Sequence, residues 1–501
     1  MASATIGDAV MPPAQELTFP RASLPALSLP RVAVRYRWGF AVLALAALSM
    51  LGPFAPTYDP WAWIIWGREI LHLDLSTVDG PSWKPLPVLL TTPFALFGGL
   101  APALWVFVAR AGTIAGVVLL FRLGRRLGGL PAGVAAAVPY ALAWWTLRNG
   151  AMGSSEGLLV ALVLLGLERQ LDGRPRSAFL CLLGAALLRP EAWPFLGLYG
   201  LWLLWREPGL RRLVIAGFAA IPALWFLPEW WGSGDPLRAM HRAQNPRSNS
   251  PAFADDPVRA VVDQFHLMLT QPVKLGLAAL ALAVALGLLL RVVLPRRAPA
   301  LSEIALVGGI LVAAVLWVAE VALMTSDGFS GNIRYLVMPH ALVCLAAGIG
   351  VGWLLRLALG RLVAGAGVIA IALGLATGVV FAKPDLAHVR ADRAAIEYQA
   401  QISNEVPGLV ARAGGAERLR ACGDVYTGPF QVPLVAWNLH LHTTQVSSTP
   451  AIRPAVVFRT ISVPRSRPGP PLRGLGDPSD LDTLAVAKHW RVVAVCRQGT
   501  P

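Results

Sequence analysis

Charged side chains next to long apolar runs are expensive to place, so they mark where this sequence could do chemistry. Asp59 directly follows the first apolar run and opens the segment Asp59-Pro60-Trp61-Ala62-Trp63-Ile64-Ile65-Trp66. A carboxylate there could take a proton from a hydroxyl group, or it could cap the helix that Pro60 begins. Lys84, in Pro81-Ser82-Trp83-Lys84-Pro85, could meet a lipid phosphate or anchor its segment by snorkelling. Glu156 opens an apolar stretch behind the small residues Gly153-Ser154-Ser155. Asp327 and Arg334 share a loop that runs into Tyr335 and Leu336. Arg189 and Glu191 flank a break between two apolar runs and read as a mutual ion pair. The loop at 231–271 adds Asp235, His241, Arg242, Asp255, Asp256 and His266, which read as solvated surface.

The elements that must position these groups are membrane helices. Of 501 residues, 55% are hydrophobic and 14% charged, well below the charge content of about a quarter expected of a soluble domain. Apolar runs such as 275–290 and 304–319 approach the length of about 20 residues that a spanning helix needs. The net charge of +15 comes from arginines in short loops between these runs. That is the positive-inside pattern, and it argues against nucleic acid as the partner.

Six arginine clusters, the first at Arg31, Arg35 and Arg37 and the last at Arg356 and Arg361, mark the cytoplasmic turns. Threading between them gives crossings at about 38–56, 102–122, 129–145, 154–168, 177–189, 191–205, 213–230, 272–292, 302–324, 336–356 and 361–381. The apolar stretch at 86–97 is too short for a comfortable span. Read as a helix in the outer interface, it leaves the arginines of 122–126 inside and the segment 57–101 outside. Trp61, Trp63 and Trp66 then stand where an interfacial aromatic belt would stand. Asp59, Lys84, Glu156 and Arg334 all fall on the outer side. Arg110 and Glu320 are the main charges within spans, each in the outer half of its helix.

Three parts result: a disordered cytoplasmic N-terminus at 1–37 without the apolar core of a signal peptide, an all-α polytopic unit at 38–382, and an extracytoplasmic α/β domain at 383–501. In the last, Arg390 to Ala413 reads as a helix, and Ala455 to Ser462 and Trp490 to Cys496 as strands. Cys422 and Cys496 could be bridged in an oxidising compartment or remain free thiols, while Cys181 and Cys344 read as buried residues within spans.

The ordered motifs resemble the GT-C class of polytopic glycosyltransferases, which includes protein O-mannosyltransferases and lipid A aminoarabinose transferases. The resemblance rests on Asp59 after the first span, on Lys84-Pro85-Leu86-Pro87 leading to Leu96-Phe97-Gly98, and on Arg125-Arg126-Leu127-Gly128-Gly129. Gly153-Ser154-Ser155-Glu156 and Arg334-Tyr335-Leu336-Val337-Met338-Pro339 complete it. It covers roughly 38–356. The resemblance implies transfer of one sugar from a polyprenyl-phosphate donor to an extracytoplasmic glycan, lipid or protein, at a multi-pass site in the cell membrane. Asp59 would be the general base of an inverting reaction, and Lys84 and Arg334 would bind the leaving lipid phosphate. Glu156 would orient a sugar, with Tyr335, Trp61, Trp83 and Asp327 completing the substrate surface. Many members carry a second acid after the first; here position 60 is proline. No cofactor is certain, and a divalent metal is left open. Two other readings remain: a flippase for polyprenyl-linked saccharides, which predicts charges along a full transmembrane path, and a non-catalytic scaffold for envelope assembly.

Overall fold

The computed structural model describes residues 31–291, 298–359, 383–477 and 480–496. Its first part is helical: α1 (Arg31–Ser49), α2 (Tyr58–Leu71), α3 (Pro85–Phe94), α4 (Ala101–Gly128), α5 (Leu130–Leu142), α6 (Trp144–Ala151), α7 (Glu156–Leu171), α8 (Pro175–Ala186) and α9 (Trp193–Arg206). Then follow α10 (Arg211–Ser233), α11 (Arg238–Ala243), α12 (Pro257–Met268), α13 (Gln271–Leu289), α14 (Leu301–Ser326) and α15 (Val337–Leu359). Five of the described helical segments have the length and apolarity to cross a bilayer, and the α5–α6 pair, bent by 61°, adds a sixth candidate. The chain is therefore built as a multi-pass membrane protein. The expected crossing at 361–381 and most of the N-terminal segment 1–37 lie outside the described residues. Within that segment, α1 starts at Arg31, earlier than the arginine cluster suggested.

The stretch at 86–97 forms α3 and a short 3-10 turn rather than a straight extension of α4. With 10 residues, α3 is about 15 Å long, half the hydrocarbon thickness. Gly98, at φ 53°, turns the chain into α4, a conformation open to glycine without a Cβ penalty. The expected break near Arg189-Pro190 is present between α8 and α9. Arg110 on α4 donates to the carbonyls of Ser49 and Pro53, and so satisfies backbone acceptors at the end of α1.

Helix α15 is the axis of the bundle, buried along most of its length. Its glycines let neighbours approach to backbone contact. A Cβ on Gly348 would lie 2.5 Å from the Ala136 amide nitrogen, and one on Gly352 would lie 2.2 Å from the Gly128 carbonyl oxygen. This Gly-xxx-Gly spacing is how membrane helices gain van der Waals contact without a hydrophobic driving force.

The C-terminal part holds α16 (Lys383–Arg412), α17 (Ala416–Cys422), α18 (Val432–Asn438) and strands β1 (Asp424–Thr427), β2 (Val446–Ser447), β3 (Ala455–Thr460), β4 (Asp482–Val486) and β5 (Trp490–Val495). The sheet order is β2-β1-β3-β5-β4. Strand β1 is parallel to β2 and β3, while β5 runs antiparallel to β3 and β4. Cys422 and Cys496 form a disulfide across 74 residues. This domain docks on α2. Trp437 packs against Trp61, Arg68 donates to the carbonyl of Leu441 at 2.7 Å, and His442 bridges Glu69 at 2.8 Å and Asp74 at 3.1 Å. The docking corrects one expectation. Trp61, Trp63 and Trp66 are not an interfacial belt, because the C-terminal domain, α4 and the loop before α3 cover them and leave them 7%, 1% and 0% exposed.

Replacing Gly348 or Gly352 by leucine should destabilise the detergent-solubilised protein by about 1–3 kcal/mol each through overpacking. Gly308→Ala and Gly309→Ala, where an added Cβ meets nothing within 4 Å, should leave the thermal midpoint unchanged. Equal midpoints for both sets would show that α15 is not closely packed.

Candidate functional site

Five chain segments meet at one end of the bundle, and backbone hydrogen bonds set the relation of most of them. The link from α1 to α2 is tied to the end of α6, with Ala55 N–H donating to Ala151 O at 3.2 Å and Thr57 N–H to Met152 O at 3.3 Å. This brings the first turn of α2 beside the start of α7. The Leu86 amide donates to Leu187 O at 3.1 Å, which sets the start of α3 against the break after α8. Below α11, Arg238 donates to the carbonyls of Pro81 at 2.6 Å and Gly80 at 3.0 Å. The Trp83 indole donates to Leu224 O at 3.0 Å. These bonds hold the loop that ends in Lys84. The fifth segment is the 3-10 turn Ile333–Leu336 that leads into α15.

At this junction Asp59, Lys84, Glu156, Arg189, Glu191 and Arg334 form one network. Asp59 is not a helix cap, because Thr57 occupies the N-cap position and α2 begins at Tyr58. Its carboxylate instead accepts from Arg334 Nη1 at 2.9 Å. Arg334 Nε lies 4.0 Å from Glu156 Oε1, the same oxygen that pairs with Arg189 Nη2. Arg189 Nη1 reaches Glu191 Oε1 at 3.3 Å. The Tyr335 ring lies 4.3 Å from the Arg189 guanidinium carbon and 5.5 Å from that of Arg334. Lys84 Nζ sits over the Trp63 ring at 5.1 Å. Three carboxylates thus face three cations in a site where Glu156 and Arg189 are 1% and 2% exposed.

Balance of charge makes such burial tolerable. For Asp59, burial disfavours ionisation, but Arg334, Lys84 and Arg189 outweigh it and hold the carboxyl below its usual range. Burial first, and then the like charge of Arg189, pushes Lys84 down to about 7. Satisfaction is incomplete. Glu156 Oε2, Glu191 Oε2, Ser155 Oγ, Arg189 Nε and Arg334 Nε are buried without a hydrogen-bond partner among the described residues. The donors suit an anionic oxygen, and the acceptors suit hydroxyl groups.

Of the residues singled out in the sequence, Asp59, Lys84, Glu156, Arg334 and Tyr335 converge. Trp61 and Trp83 pack on Trp437 and Trp66 respectively, beside the charged network rather than within it. Asp327 is exposed at the C-cap of α14 and does not join the network. Arg189 and Glu191 do pair with each other, yet the arginine also reaches Glu156, a link that sequence spacing missed. The available signal was two charges inside an apolar break, level with the start of α7. Among the described residues no group of three His, Cys, Asp or Glu is placed to hold a metal ion.

The buried pairs and a solvent-exposed pair should respond differently to neutralisation. Glu156→Gln removes one of the two carboxylates that pair with the buried Arg189 and should cost about 3–5 kcal/mol. Glu397→Gln, which removes the exposed partner of Arg393, should cost less than about 0.5 kcal/mol. Thermal unfolding in detergent measures both, and similar losses would show that the network is open to solvent.

No protein-family model matches the chain, and no curated protein matches it in sequence. Solved structures do match. ArnT from Cupriavidus metallidurans bound to undecaprenyl phosphate aligns with a TM-score of 0.53 at 13% identity, over 92% of this chain and 99% of that one. The apo state of the same protein aligns with a TM-score of 0.55 at 14% identity, over 92% and 98% of the two chains. The Archaeoglobus fulgidus oligosaccharyltransferase tethered with an acceptor peptide aligns at 0.41 and 13% identity, over 84% of this chain and 65% of that one. At these identities the likeness to ArnT is one of fold, and the chain shares the GT-C fold that its ordered motifs resemble.

Proposed function

We propose that this protein is an integral membrane glycosyltransferase that moves a sugar from a polyprenyl-phosphate donor to a hydroxyl-bearing glycan, lipid or protein outside the cytoplasm. The observation that carries the reading is the part-buried junction of Asp59 with Lys84, Arg189 and Arg334 in a chain with the fold of a protein solved with undecaprenyl phosphate. The threading into about eleven crossings places this junction on the outer face, with the arginine-marked turns and N-terminus in the cytoplasm and the 383–501 domain outside. The host membrane is the cell membrane.

The acceptor hydroxyl oxygen attacks the anomeric carbon while the bond from that carbon to the phosphate oxygen breaks. The proton leaves the hydroxyl for Asp59, and the bonding pair leaves with the polyprenyl phosphate. A single displacement inverts the anomeric centre. Charge develops on the phosphate, where Lys84 and Arg334 supply cationic donors. Arg334 must then turn from Asp59 to the phosphate, which frees the carboxylate to accept the proton. Glu156 orients a sugar hydroxyl through its second oxygen, and Tyr335 walls the same space.

Asp59→Asn should lower transfer of labelled sugar from polyprenyl phosphate by about 10²- to 10⁴-fold in membranes that contain normal amounts of the variant. Parent-level transfer would remove Asp59 from the reaction. The second expectation concerns pH. Lys84, held near 7 by burial and Arg189, is cationic below that pH and neutral above it. Apparent donor affinity should therefore weaken by up to about tenfold per pH unit above 7. Lys84→Arg, which stays charged, should flatten the profile. A flat parent profile from pH 6 to 9 would contradict this.

A further inference from the structure

Two arginines compete for one oxygen. Arg189 Nη2 pairs with Glu156 Oε1, and Arg334 Nε faces the same atom at 4.0 Å while its Nη1 is bound to Asp59 at 2.9 Å. Arg334 therefore stands between two carboxylates and is committed to one of them. A movement of about an ångström would let its Nε bond Glu156, since an N–H···O bond closes at about 2.9 Å. What keeps it from doing so is that Arg189 already holds that Glu156 oxygen, pairs with Glu191 on its other side, and carries the same charge as Arg334.

We infer that Arg189 is a positioning residue that assigns Arg334 to Asp59. It does so by holding the Glu156 oxygen that faces Arg334. Lys84 is the remaining cation of the network, and its Nζ is placed over Trp63. If Arg189 is removed, Glu156 and Glu191 are left as buried anions, and Arg334 is the cation already within reach of Glu156. It would leave Asp59, and the part-buried Asp59 carboxyl, without its cation, would take up a proton. The importance of this for catalysis rests on the proposed role of Asp59 as base, but the placement itself can be read without any reaction.

The experiment is carboxyl labelling of the full chain in detergent micelles with dicyclohexylcarbodiimide, which adds to protonated buried carboxyls, followed by peptide mass analysis. In the parent, Asp59 should label poorly. In Arg189→Gln it should label at least tenfold more, to the level of an Arg334→Gln control. Arg189→Lys should fall between, since one ammonium can pair Glu156 but cannot also fork to Glu191. The variant Arg189→Gln/Glu191→Gln removes one buried charge of each sign and guards against failure to fold; it too should expose Asp59 to labelling. Unchanged Asp59 labelling in that folded double variant, with a rise in Arg334→Gln, would overturn the inference. A transfer assay separates it from the functional reading. The double variant should lose kcat by about 10²-fold with acceptor KM little changed, and Arg189→Lys should recover part of the loss. If labelling follows the pattern but Asp59→Asn transfers normally, the placement by Arg189 holds and the role of Asp59 as base is wrong.

Discussion

The ion pair between Arg334 and Asp59 joins residues 275 apart in the chain, and the candidate site depends on it. Each ion alone would be costly to hold in a protein interior bordered by lipid. Together, and with Glu156, Glu191, Arg189 and Lys84, they form a balanced network whose members come from the first turn of α2, the loop before α3, the start of α7, the break after α8 and the turn before α15. The helices are thus more than a membrane anchor. Each contributes a charge at the same level, and shifting any one of them would strand its neighbours. The fold keeps that level by backbone means: the α1–α2 link bonded to α6, the Gly98 turn between α3 and α4, and the close glycine crossings of α15.

Much of this was legible in the sequence, for a physical reason. A charge beside an apolar run has few places to go, so Asp59, Lys84, Glu156 and Arg334 could be placed at one side by the arginine turns alone. The short apolar stretch 86–97 could be separated from α4 by its length. Helix α16 and strands β3 and β5 were readable as a long polar helix and two apolar strands, whereas β2, with only 2 residues, carries no pattern of its own.

What escaped was distant in the chain. Arg189 and Glu191 looked complete as a local pair, because nothing in their spacing shows that the break after α8 lies level with Glu156. Trp61, Trp63 and Trp66 have the composition of an interfacial belt, and packing on Trp437, Trp105 and Trp83 converts them into a buried wall. Asp59 has the sequence of a helix cap, yet Thr57 stands at that position and leaves the carboxylate to Arg334. In each case a local rule was overridden by a tertiary contact. Docking of α18 also links the C-terminal domain to the helix that bears Asp59, through His442 on Glu69 and Arg68 on the carbonyl of Leu441. The domain therefore buttresses the candidate site from above.

The central claim is that this charge junction receives a lipid phosphate. Native mass spectrometry of the purified protein, exchanged into micelles with undecaprenyl phosphate or with undecaprenol, tests it most directly. The account predicts that one molecule of the phosphate stays bound through gentle activation while the alcohol of the same chain length is lost. Equal retention of the two would mean that the chain alone is recognised, and would contradict the account.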